Sequence, residues 1–105
     1  MPSIKLFLMM FLAIALAGCA VIPAQEMSDA RQAIVAAEAA GASARAPRAL
    51  DHARELLEQA QIELAVRDYA SARRSANASK EAAIQAREAA DDVARTPTVP
   101  PTPLP

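Results

Sequence analysis

A chain of 105 residues has room for one small domain. Eleven Lys and Arg against twelve Asp and Glu give a formal charge of −1, without the basic excess that nucleic-acid binding draws on. A single cysteine excludes an internal disulfide and a thiolate metal cluster, and three aromatics in the whole chain exclude a core built on large rings.

In chain order, Met1 to Lys5 forms a short segment with one positive charge, and Leu6 to Ala17 is uncharged and apolar throughout. That is the make-up of a secretory signal segment. Leu16-Ala17-Gly18-Cys19 follows, a Leu and two small residues ahead of a Cys, and resembles the lipobox of bacterial lipoproteins. The resemblance implies a diacylglyceryl group on the Cys19 thiol, cleavage between Gly18 and Cys19, and acylation of the new amine. Ala17 and Gly18 suit such cleavage, because a peptidase at a membrane surface needs an extended, unbulky stretch before the scissile bond. Each buried acyl methylene contributes about 0.8 kcal/mol, so two or more chains give stable anchoring. An uncleaved anchor over the uncharged run Leu6 to Ile22 competes with this reading, but gives the small-residue pattern no role. A third possibility, Cys19 as an ordinary apolar residue, gives the lone thiol none either. Ala20 stands where the lipoproteins this resembles carry an Asp when retained at the inner membrane, which implies the periplasmic side of the outer membrane.

Loss of residues 1–18 takes Phe7 and Phe11 with it and leaves Tyr69 as the sole aromatic. Val21 to Gln25, with Pro23, reads as a tether, and residues 19–27 as the acylated cysteine plus tether. Residues 24–95 contain 24 alanines, the residue with the highest helix propensity, so an all-α domain is expected over 28–95. The first helix starts near Pro23 or at Ser28, where Ser28 can cap and Asp29 suits the positive helix end, and stops at Ala40 before Gly41. Its apolar stripe is Met27, Ala30, Ile34 and Ala37.

Gly41 to Ala46 reads as a loop, and Pro47 suits the first turn of a second helix reaching about Val66. That helix carries Leu50, Ala53, Leu57, Ala60 and Leu64 at alternating spacings of three and four, with Leu56 and Ile62 widening the face. After Arg67, Asp68 can cap a third helix that begins at Tyr69 and keeps the spacing through Ala72, Ala76, Ser79, Ala83, Ala86, Ala90 and Val93. So short a junction implies a tight antiparallel hairpin, either with the first helix as a third partner or with its remaining surface used for self-association or another envelope protein. An alanine seam buries little area, so the hairpin alone is marginal. Intrahelical pairs Glu63 with Arg67 and Asp91 with Arg95 are expected to add little. The tail, residues 96–105, holds five prolines and is expected to be disordered and polyproline-like. Its P-x-x-P spacings fit a groove-docking segment or, more simply, a solvated spacer.

Ser28-Asp29-Ala30-Arg31 with Ala36-Ala37-Glu38-Ala39-Ala40, Ala46-Pro47 leading into Leu50 and Ala53-Arg54, and Asp68-Tyr69 with Ala72-Arg73 resemble a family of alanine-rich lipoprotein domains of unknown function. Many of these precede a peptidoglycan-binding domain similar to that of outer-membrane protein A. The resemblance spans about residues 24–95 and implies a periplasmic helical domain without assigned catalysis. Pro-rich sequence stands where the wall-binding domain would follow, so wall binding is not implied.

No catalytic, cofactor-binding or metal-ligating set is expected. His52, beside Asp51, reads as a solvated helix residue. Asp91-Asp92 and Glu55 with Glu58 read as charged surface, since no loop completes a coordination shell. Ser71, Ser75 and Ser79 share a helical surface with no histidine nearby, and the two glycines, Gly18 and Gly41, make no phosphate loop. Two readings of function remain. One is a membrane-anchored, non-catalytic interaction or scaffold module with a protein partner or a second copy of itself. The other is a structural alanine-zipper coiled coil that self-associates in the envelope, a continuous helix that Gly41 to Pro47 interrupts.

Overall fold

The computed structural model describes residues 3–18 and 22–96, with side chains for 3–12 and 22–96. Among the described residues there are five helices and no strand: α1 (Ser3–Gly18), α2 (Ala24–Ala39), α3 (Ala42–Arg45), α4 (Pro47–Ala65) and α5 (Tyr69–Arg95). The chain is all-α, and α2, α4 and α5 pack as a three-helix bundle with α3 at one end.

Each helix end has a local cause. Gly41 adopts the left-handed conformation (φ 85°) just past α2, and its N–H donates to the Glu38 carbonyl at 2.9 Å, closing the last turn. The chain then re-enters a helix at once, so the expected loop is instead the single turn α3 with Ala42 fully buried. Ala42-Ser43-Ala44-Arg45 contains no helix breaker. Pro47 disfavours helical dihedrals at the residue before it, and Ala46 (φ −143°, ψ 53°) ends α3 and leads into α4 with Pro47 in its first turn. Pro23, rather than Ser28, precedes the first bundle helix; its carbonyl accepts from Met27 N–H at 3.0 Å and its ring is buried. The packed domain therefore starts at Pro23, and the expected tether is shorter by the residues that α2 absorbs.

At the α4–α5 corner, Asp68 N–H donates to the Glu63 carbonyl (2.9 Å) and Arg67 N–H to that of Leu64 (3.0 Å), with Arg67 left-handed at φ 63°. This is a Schellman closure with Arg where Gly is usual. Asp68 Oδ1 accepts from Ser71 N–H at 3.2 Å, capping α5 as its position in the sequence implies.

The stripes read from the sequence form the core. Met27, Ala30, Ile34 and Ala37 of α2, Leu50, Ala53 and Ala60 of α4, and Ala72, Ala76, Ser79, Ala83, Ala86 and Ala90 of α5 are buried, joined by Ser75 and Ala82. Leu56, Leu57 and Leu64 are half-buried, Leu56 and Leu57 packing against the core. The α5 helix is the spine, packed along both α4 and α2, while α2 and α4 touch less. Small residues on α5 let its neighbours come close, which offsets in contact quality what alanine lacks in area.

Two residues depart from their expected faces. Ile62 is 60% exposed, because two positions past Ala60 is about 200° around the helix. Val93 is 52% exposed, because the 27-residue α5 outlasts the 19-residue α4 beside it. Both intrahelical pairs are also replaced. Glu63 accepts from the Ser75 hydroxyl of α5 at 2.6 Å while Arg67 turns away with the left-handed backbone, and Arg95 pairs with the Asp92 carboxylate at 3.3 Å.

Candidate functional site

Apolar side chains packed on one helix alone have nowhere to hide, and α1 displays the result. Ile4 and every residue from Leu6 to Leu12 are between 64% and 79% exposed, and among the described residues α1 makes no contact with α2–α5. The concave spaces along it lie between its own side chains, such as Ile4, Phe7, Leu8 and Phe11, so they have no opposing wall and form no binding cavity. At 1.5 Å per residue its 16 residues span about 24 Å, short of a hydrocarbon core of about 30 Å. No described helix is long and apolar enough to cross a membrane. Gly18 is the last residue of α1; Cys19, the expected acylation point, and Ala20 lie outside the described residues, as does the tail from 97 to 105.

Within the bundle the polar side chains serve packing. Ser79, fully buried, donates to the Ala53 carbonyl at 2.7 Å, and Ser75 donates to Glu63, so two of the three serines on α5 tie it to α4. The third, Ser71, accepts from Arg74 at 3.0 Å and caps with Asp68. Arg54 of α4 reaches Glu38 of α2 at 2.9 Å and Asp51 at 3.4 Å, and these carboxylates hold its guanidinium above the ordinary pKa, the Glu38 hydrogen bond first. Arg73 of α5 lies 3.2 Å from Glu26 of α2 through Nε, close enough for an ion pair yet off the line of a hydrogen bond, so that buried N–H has no partner. We read this contact as Coulombic, since the separation is that of a pair while the angle denies the bond. Two ion pairs thus fasten the two ends of α2, one to each neighbour. These interhelical pairs are a feature the sequence reading missed; only the 3D register reveals them, since Glu38 and Arg54 are sixteen positions apart.

His52 is exposed on α4, as are Glu55 and Glu58, and Asp92 is engaged with Arg95. Among the described residues no group of three or more His, Cys, Asp or Glu is arranged to hold a metal ion. A shallow groove of about 410 Å³ lies between α2 and α5, lined by Asp29, Gln32, Ala33 and Ala36 on one side and Lys80, Ile84 and Arg87 on the other.

No family model, curated protein or solved structure matches the chain.

Proposed function

We propose that this chain is a bacterial lipoprotein, cleaved after Gly18, acylated on Cys19 and held at the periplasmic face of the outer membrane, where its three-helix bundle serves as a non-catalytic interaction or scaffold module. The observation that carries the reading is α1: an apolar helix with its large side chains displayed, without contact to the bundle, ending immediately before the cysteine of a lipobox-like sequence. A segment whose described side chains join no core and which, past Lys5, is apolar suits transient residence in lipid before removal. The lipobox resemblance at Leu16-Ala17-Gly18-Cys19 supports the same reading.

The position of Pro23 adds a consequence. Only residues 20–22 separate Cys19 from the packed bundle. Three residues span at most about 11 Å, so an acylated Cys19 would hold the bundle against the headgroups rather than project it far into the periplasm. Expression of the chain with radiolabelled palmitate tests the reading. Label enters the parental chain and is absent from Cys19→Ser, which leaves the membrane fraction; label retained in Cys19→Ser, or none in the parental chain, contradicts it.

A further inference from the structure

The bundle end beside Pro23 carries side chains that the core does not use. Met27 of α2 packs with Ala60 of α4, and Glu38 pairs with Arg54, so α2 and α4 run antiparallel. Counting back from Met27 and forward from Ala60 brings Ile22 level with about residue 65, so the start of α2 and the α4–α5 corner share one end. Of the large apolar side chains that the bundle exposes among the described residues, Ile22, Ile62 and Val66 gather there, while Val35 lies further along α2 and Val93 near the end of α5. Ile62 and Val66, four positions apart, share one face of α4.

The charges at this end are unequally engaged. Glu26 pairs with Arg73, Glu63 accepts from Ser75, Arg74 donates to Ser71, and Asp68, which the Arg74 charge also favours, caps α5. Arg67, at the corner, is exposed, and among the described residues its guanidinium has neither an ion pair nor a hydrogen bond. It nevertheless holds a left-handed backbone that a glycine would adopt at less cost.

Aliphatic side chains around an unspent cation fit a lipid interface, where hydrocarbon enters among the headgroups while a guanidinium stays with the phosphates. We propose that this end of the bundle is a membrane-contact surface, with Ile22, Ile62 and Val66 set into the headgroup layer and Arg67 on the phosphates of anionic phospholipids. An acylated Cys19, with only residues 20–22 before Pro23, would present this end to the bilayer. The opposite end, at Gly41, lies about 24 Å away along α2. The proposal thus rests on the anchored reading and deepens it by naming the surface that meets the lipid.

Acylation occupies Cys19, so one introduced cysteine takes a nitroxide label alone in the chain purified from membranes. Ala70→Cys places the label beside the proposed contact and Ser43→Cys at the opposite end, both at exposed positions. In vesicles of phosphatidylethanolamine with about one-quarter phosphatidylglycerol, a water-soluble nickel chelate reaches the label at position 70 about threefold or more less readily than that at 43. Arg67→Gly, Arg67→Glu and Val66→Ser, each with helicity retained by circular dichroism, bring the two positions to within about twofold. Equal access in the parental chain, or a difference that Arg67→Glu and Val66→Ser both leave in place, overturns the proposal. So does shielding that appears only as the protein-to-lipid ratio rises, since that puts a second copy at this end. A chain whose Cys19 also takes label while position 70 stays shielded defeats the anchor alone. One that is acylated on Cys19 and equally accessible at both positions defeats the contact alone.

Discussion

Two residues with left-handed backbones stand at the two corners of the bundle, and they differ in what that conformation costs. Gly41 (φ 85°) takes it freely, and a Cβ there would meet only the Arg45 side chain at ordinary van der Waals distance, so the whole penalty of a substitution is conformational. Gly41→Ala therefore lowers stability by about 1 kcal/mol. Arg67 (φ 63°) already bears that penalty and is exposed without an ion pair among the described residues, so Arg67→Gly raises stability by up to about 1 kcal/mol. Urea denaturation of the full chain, followed by helicity, checks both signs. Hydrogen bonds from Ser71, by its side chain first and its backbone N–H second, hold the Asp68 carboxyl below its ordinary pKa of 3.8. A carboxyl whose pKa falls on folding stabilises above its unfolded value and loses that contribution as pH drops through the folded one. Asp68→Asn, which keeps the cap but not the charge, accordingly lowers Tm at neutral pH, and the gap to the parental chain narrows as the pH is taken below 3.8.

Helices were legible wherever periodicity and a breaker coincided. The stripe from Met27 to Ala37, the Pro47 start and the Asp68 cap are all properties of a few neighbouring residues, and each stands where the sequence puts it. The misreadings have a different origin. A turn of helix between Gly41 and Pro47 is set by burial of Ala42 and Ala46 against the other helices, and the Val93 exposure by the length of a neighbour, neither of which local pattern encodes. The same holds for the Glu38–Arg54 and Glu26–Arg73 contacts, which depend on register between helices. Close packing of small residues is itself testable. Ala83 is fully buried where α5 meets α2 and α4, and Ala83→Leu adds volume to a seam with no space for it, costing about 1–3 kcal/mol by the same denaturation measurement.

At the scale of the molecule, the described residues divide into a helix outside the core, α1, and a bundle, α2–α5, whose core is built without it. Among the described residues, every buried side chain lies between Pro23 and Ala90, within α2–α5 and the residues that link them. This division is what the signal-and-anchor reading requires, since removal of α1 leaves the bundle's contacts intact. The lipobox-like pattern Leu16-Ala17-Gly18-Cys19 is a reading of the sequence alone, with Cys19 outside the described residues, while the α2–α5 groove was not legible there, because its two walls lie some fifty positions apart in the chain. Intact-mass spectrometry of the chain purified from bacterial membranes tests the anchored reading at its root. A polypeptide that begins at Cys19 and carries the mass of a diacylglyceryl group plus an amide-linked acyl chain is the expected result; residues 1–18 still attached, or a bare thiol at Cys19, would contradict it.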